Sequence, residues 1–241
     1  MLKIDLHTHT IASRHAFHTL DEMAKEAKRR GVEVLGITDH GPAEQGGPSN
    51  SYFRCGRRLP KVINGVRLLF GVEANILDKT GKIDLPDKIL KYLDIVIAGL
   101  HKDCGYNDLG RTGNTNAIIE AMKNPFIKMI SHPYNMGVDY DVDIEEIARA
   151  SCKLNKILEV NSSFFYAPKS YPEKVHDRIK RMVAILKKNK KKTIINSDAH
   201  NMYEIGRDEE ARAKFDYLGL TDDDLLNNDK KGIEKHFGIK I

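Results

Sequence analysis

The sequence predicts an α/β fold built on one parallel sheet of seven strands, either open and doubly wound or closed into a barrel. Three observations carry this. Short runs rich in Ile, Val and Leu alternate with longer amphipathic stretches through most of the 241 residues. Several runs are apolar on both faces, as a parallel sheet covered on both sides requires. The stretches between them are long enough for the helical crossovers that parallel strands need. With 41% hydrophobic and 30% charged residues, the chain has material for one sizeable core, and a single domain over residues 1–241 is expected.

The elements come in order. The first strand is placed at residues 2–6. Thr19-Leu20-Asp21-Glu22 then has the spacing of a capping box before the amphipathic stretch 23–29, and Gly31 is a natural stop for that helix. The second strand is at 33–38. Residues 41–66 are polar and rich in Gly, Pro and Ser at first, then basic, and read as an active-site loop plus a short helix. Strands three and four are at 67–73 and 94–100, and a helix at 116–122 leads to strand five at 126–131. Asp143 is placed to cap a helix at 144–150, before strand six at 157–161. A helix at 173–188 precedes strand seven at 193–197, and residues 204–241 read as helical segments without another strand.

Composition excludes some classes. No apolar stretch approaches the roughly 18 residues of a spanning helix, so no membrane partner is expected. Residues 1–5 run straight into polar histidines, unlike a signal peptide, and Cys55, Cys104 and Cys152 fit reduced thiols in a cytoplasmic protein. The net charge of +5 is mild. The run Lys187-Lys-Asn-Lys-Lys-Lys192 reads as a solvated helix end, with a nucleic-acid contact as the alternative. Nothing in the sequence marks an oligomeric state.

The informative pattern lies at the C-terminal end of each strand. Strand one leads into His7-Thr8-His9 and strand two into Asp39-His40; strand three ends in Glu73. Strands four and five lead to His101 and His132, strand six ends in Asn161, and strand seven leads to Asp198-Ala199-His200. Parallel strands share one C-terminal end, where active sites of such folds lie. With His15 in the first loop, seven of the ten histidines belong to that end. His18, His176 and His236 lie in helical contexts and read as structural or surface residues. His7 and His9 are two apart on an extended strand and share a face with Asp5; Asp198 and His200 repeat the spacing. Imidazole and carboxylate suit zinc, manganese or iron, and Glu73 can offer one oxygen to each of two ions. Burying this set together without metal would carry a large desolvation cost, so metal binding is expected.

Asp5-Leu-His7-Thr-His9, Ile37-Thr-Asp39-His40-Gly, Gly71-Val-Glu73-Ala-Asn75, Gly99-Leu-His101, Ile130-Ser-His132-Pro133 and Asn196-Ser-Asp198-Ala-His200 together resemble the polymerase and histidinol phosphatase (PHP) family. The resemblance is strongest to its small stand-alone phosphatases of the YcdX type. It implies a distorted seven-stranded (β/α)7 barrel and two or three divalent ions, with zinc the first expectation and manganese or iron as others. Carried over by residue, it implies that His7 and His9 bind a first metal with Asp198. Glu73 would bridge to a second held by His101 and His132, and His15, His40 and His200 would hold a third. Asp39 and Asp5 are expected to orient histidines. The implied reaction is hydrolysis of phosphate monoesters by a metal-bound hydroxide, with a small phosphorylated metabolite as substrate. No side-chain nucleophile is assigned. Arg14, Lys102 and Arg111 lie in loops after strand ends and are the candidate phosphate binders.

Three alternatives stand beside this reading. A phosphodiesterase or exonuclease acting on nucleic acid agrees with the lysine run, but no aromatic-basic groove is visible. An amidohydrolase also opens with His-x-His, but Glu73 after strand three is the natural bridge here. A non-catalytic metal-binding or regulatory protein is the third, and the complete ligand set argues against it.

Overall fold

In the computed structural model, which describes residues 1–134, 140–166 and 174–241, the strands succeed one another around a ring in chain order. They are β1 (Ile4–Thr8), β2 (Val34–Ile37), β3 (Val62–Ile63), β4 (Val66–Asn75), β5 (Ile95–Gly99), β6 (Met129–Ile130), β7 (Ile157–Asn161) and β8 (Ile194–Asn196). The order β1-β2-β4-β5-β6-β7-β8 is parallel throughout, and β3 lies off this path against β4. The ring nearly closes. Where β1 ends and the chain runs on past β8, Thr8 bridges Ala199, His9 N–H donates to the Ala199 carbonyl at 2.9 Å, and Asp198 N–H donates to the His7 carbonyl at 2.9 Å. Lower down, the Asn196 side chain takes the Leu6 N–H at 2.9 Å. This is a distorted barrel of seven parallel strands, as expected.

All seven expected strands are present, shifted by a few residues at their ends. The unexpected element is β3, an antiparallel partner to the start of β4. Asn64 and Gly65 both have positive φ, 52° and 79°, in the two-residue turn joining them. Asn-Gly is the favoured pair for such a hairpin, a signal lying inside the span 41–66 that otherwise reads as a loop and a helix.

The helices cover the outside. Leu20–Arg30 begins with Thr19 and Glu22 in a capping box and ends at Gly31, whose φ of 77° admits the left-handed stop. Asn50–Cys55 is the short helix of the loop after β2. Gly110–Met122 starts earlier than the expected 116. Ile144–Leu154 is capped by the Asp143 side chain, which accepts from the Glu145 and Glu146 N–H groups. Lys174–Lys188 comes next; its expected first residue, Glu173, lies outside the described residues. The tail adds Glu209–Arg212, Phe215–Leu218 and Lys230–Phe237, and among the described residues no strand comes after β8. No described helix is long and apolar enough to cross a membrane.

The core divides into two. Outward-facing residues such as Leu68, Phe70, Val72, Ala98, Leu158, Val160 and Ile195 pack with the helices. Inward-facing Ile4, Leu6, Val34, Leu69, Ile95, Ile97, Met129, Ile157 and Ile194 fill the barrel, joined by Leu226, Ile233 and Phe237 from the tail. Burying each such side chain stabilises the fold by about 1.5–3 kcal/mol. The inward positions climb from apolar to polar along single strands. β4 runs Leu69, Gly71, Glu73; β7 runs Ile157, Glu159, Asn161; β8 runs Ile194, Asn196 and then Asp198 just beyond it. The strand period of two therefore delivers apolar groups to one end and ligand-type groups to the other.

β1 breaks that alternation. Leu6 belongs to the barrel interior, and so does its neighbour His7. The pairing of β1 with β2 shifts register between Asp5 and Thr8, and such an irregularity re-aims side chains. Gly36 makes room for it, because a Cβ there would stand 2.5 Å from the Leu6 carbonyl oxygen.

Candidate metal centre

The residues at the strand ends converge on Glu73, a buried side chain on β4. Its Oε2 faces His7 Nε2 at 3.1 Å, His9 Nε2 at 3.4 Å and His40 Nδ1 at 3.1 Å. Its Oε1 faces His101 Nε2 at 3.1 Å and His132 Nε2 at 2.9 Å. Asp198 Oδ1 closes the other side, 3.3 Å from His7 Nε2 and 3.0 Å from His9 Nε2. His200 stacks on His9 with ring centroids 4.3 Å apart.

Three groups of these atoms are compact enough to hold an ion each: His7, His9, Glu73 and Asp198; His40, Glu73 and His101; and His9, His40 and His200. The expected ligand His132 joins through Glu73 Oε1. His15 sits at the rim, about half exposed, its ring 4.9 Å from His40 and 4.7 Å from His200. Its Nδ1 is 3.9 Å from Glu44 Oε1. The structure thus gathers all nine expected residues, with His15 the outermost and His40 turned toward Glu73.

His7 Nε2, His9 Nε2, His40 Nδ1, Glu73 Oε2 and Asp198 Oδ1 are buried and make no aligned hydrogen bond. Buried polar atoms without partners are rare, because each costs about 1–3 kcal/mol or more in lost solvation. Five aimed at one another form the donor set of a cation site, and imidazole with carboxylate suits zinc or a similar ion. The residues therefore fit a metal.

Electrostatics agree. Burial, then the neighbouring His200, pushes His9 down to about 3, and burial with His9 does the same to His40. Both rings are thereby neutral, the form that ligates. Burial opposes charge on Glu73, yet His7, His101 and His40 hold its carboxyl well below the usual range. Asp198 is likewise buried and held well below by His7, His9 and His200. At His7 burial is outweighed by Glu73, Glu159 and Asp198, which raise its pKa well above the ordinary value.

The far sides of the rings are also fixed. His7 Nδ1 lies 2.8 Å from Glu159 Oε1, so a proton on Nδ1 leaves Nε2 for the centre. The same Glu159 accepts from the His132 N–H at 2.9 Å and the Asn196 amide at 2.8 Å. His101 Nδ1 meets Asn75 Oδ1 at 2.6 Å. His9 Nδ1 meets Ser13 Oγ at 3.1 Å, and Ser13 donates to Asp39. Asp39 thus orients a histidine through a serine, and it also accepts from Thr10 and the Tyr52 hydroxyl. Asp5 acts differently from expectation. It does not support an imidazole but accepts from Ser197 and the Gly206 N–H, tying down the turn that carries Asp198. Asn161, expected only as a strand end, donates to Asp198 Oδ2 at 2.8 Å.

Glu159 is the residue that sequence reasoning missed. Its signal is one charge inside the apolar strand Ile-Leu-Glu-Val-Asn. Backbone strain marks two more positions: His132 and Asp198 have φ of 29° and 54°, conformations that cost about 1–3 kcal/mol outside glycine.

The candidate phosphate binders fare unequally. Arg14 is exposed at the rim, its Nε donating to the Gly46 carbonyl. Lys102 is exposed directly after His101. Arg111 lies on the helix Gly110–Met122 and pairs with Asp143 at 3.1 Å. The remaining histidines have other partners: His18 accepts from the Met202 N–H, His176 stacks on Phe165, and His236 bonds to the Lys128 carbonyl. His18 lies in a loop and not in a helix.

Comparison with known proteins bears on the family and the fold. A probable phosphatase of Caldanaerobacter subterraneus subsp. tengcongensis is 40% identical over 239 residues, spanning 99% of this chain and 92% of the relative. Histidinol phosphate phosphatase from Lactococcus lactis, solved with zinc, L-histidinol and phosphate, superposes with a TM-score of 0.61 at 20% identity. That match covers 90% of this chain and 94% of the other. A chain of archaeal ribonuclease P, solved with mature tRNA, also reaches 0.61, at 16% identity over 97% and 90%. At these identities the two structures speak for the fold alone. The PHP domain family matches residues 5–196, and the chain belongs to that family.

Proposed function

We propose that this protein is a metal-dependent phosphatase acting on small phosphate monoesters. The observation that carries the reading is the set of five buried, unpartnered ligand atoms on His7, His9, His40, Glu73 and Asp198. The probable phosphatase relative, similar over nearly its whole length, supports the same chemistry.

His7, His9, Asp198 and one Glu73 oxygen would hold a first ion. His101, His132 and the other Glu73 oxygen would hold a second, and His40 and His200 a third, with His15 above them. Divalent cations held there would acidify an attacking water and neutralise charge on the phosphate. The chain's own groups set up the rest. Glu159, Asn75 and Ser13 fix the His7, His101 and His9 rings, so the ligand atoms need no rearrangement. Arg14 and Lys102, exposed beside His15 and His101, would steer and bind the ester dianion. Arg111, engaged by Asp143, is the weakest of the three candidates.

The test is a panel of phosphorylated metabolites offered to chelator-stripped protein reloaded with zinc, manganese or iron. Turnover of monoesters restored by one of these ions is expected. Faster cleavage of single-stranded DNA than of any monoester would replace this reading with the nucleic-acid one.

A further inference from the structure

A second concavity opens at the opposite end of the barrel. It encloses about 340 Å3 and is lined by Lys156, Lys190, Lys191, Lys192, Lys235 and His236, with no acidic side chain among the lining residues. Ile157 begins β7 here, whereas β7 ends at Asn161 beside Asp198. Four steps of about 3.3 Å along the strand separate the two places by roughly 13 Å.

Few of these cations are neutralised. Lys192 pairs with Asp229 at 3.3 Å. Lys156 donates to the Asn124 and Ile127 carbonyls, and Lys191 to the Asn155 side chain. Among the described residues, Lys190 and Lys235 meet no carboxylate. Burial, followed by the nearby Lys128, pushes Lys156 down to about 8. A neighbouring groove shares Lys191 and adds Arg149, Lys153 and Lys188, again with no acidic lining residue.

The backbone is also unusual here. The helix Lys174–Lys188 ends in a turn where Lys191 N–H reaches the Leu186 carbonyl and Lys190 N–H the Lys187 carbonyl. Lys190 occupies the left-handed position, φ 54°, where glycine is usual. A strained lysine in a ring of like charges is unfavourable on its own and becomes favourable with an anion between the ammonium groups. No Phe, Tyr or Trp lines either concavity, so there is no platform for stacking bases.

We propose that the Lys156–Lys190–Lys191–Lys192–Lys235 pocket binds a small multivalent anion carrying phosphate groups, at the end of the barrel remote from the metal centre. The site is independent of the phosphatase reading. It is tested on the metal-loaded full chain by backbone-amide NMR during titration with a non-hydrolysable sugar bisphosphonate, with inorganic phosphate as the second probe. Saturable shifts at residues 190–192 and 232–236 are expected, separate from any at residues 7–9 and 198–200. Tighter binding of the bisphosphonate identifies a phosphorylated metabolite as the ligand type, and equal binding identifies free phosphate. Lys190→Gln with Lys235→Gln should weaken these shifts at least roughly tenfold, with the melting temperature and the monoester KM unchanged. Lys235→Gln alone should give an intermediate loss. Unchanged affinity in the double variant overturns the proposal. So does a single-stranded oligonucleotide that binds more tightly than the bisphosphonate and depends on Arg149 and Lys188.

Discussion

At one end of the barrel interior, Ile4, Leu69, Ile157 and Ile194 form a dry floor that Leu226, Ile233 and Phe237 of the tail close from below. At the other end, on the same strands or just beyond them, stand Glu73, Glu159 and Asp198, surrounded by histidines. The two ends use one chain geometry in opposite ways. The floor contributes stability by removing apolar area from water. The upper layer spends some of it, holding five unpartnered buried atoms and two strained backbones, His132 and Asp198. A step of two or four residues along a strand thus separates the groups that hold the fold from those that do chemistry.

The contrast can be broken first at its upper end. Glu73→Gln should lower phosphatase activity by more than ~100-fold and release metal, since Glu73 faces five histidines while ring-orienting groups are typically worth about 10–100-fold. Turnover kinetics with elemental analysis check this, and full activity in the variant would refute the bridging role. Glu159→Gln comes next. It touches no proposed substrate, yet it should weaken metal affinity by about 10–100-fold, read by competition with a chelator.

At the floor, Phe237→Ala should cost about 3 kcal/mol in denaturant unfolding. Metal content and kcat of the folded variant should stay unchanged; a loss of metal would show that the ends are coupled. His15→Ala, at the exposed rim, should cost less than about tenfold in activity, and an effect as large as that of Glu73→Gln would give the third ion the leading role.

The smallest effect concerns pH. Burial holds the floor-side His236 below its ordinary 6.5, so the unfolded chain takes up that proton first as pH falls. Its contribution to stability is therefore present above about 6.5 and lost below it. His236→Gln should flatten stability against pH in that range.

Much of this division is legible in the sequence. The strands, the capped helices and the nine converging side chains emerge from apolar runs and from the residues just past each run. Three features of the barrel are not. The β1 irregularity that turns both Leu6 and His7 inward depends on a close approach at Gly36, which a period-two pattern cannot express. Strict alternation places Asp5 beneath the histidines, and the same irregularity gives it to Ser197 and Gly206 instead. Glu159 stands out as a misplaced charge, but its partner His7 is 152 residues away and only the closed barrel brings them together. The lysine run, too, reads in sequence as a solvated helix end. Its membership in a pocket depends on Lys156 and Lys235, far from it along the chain.

The central claim, that the unpartnered atoms of His7, His9, His40, Glu73 and Asp198 surround metal, is tested most directly by anomalous diffraction from crystals of the zinc-loaded protein. The account predicts a strong peak among these atoms, at about 2.0–2.2 Å from its imidazole and carboxylate ligands. An empty centre under saturating zinc, with protons shared between Glu73, Asp198 and the rings, would contradict it.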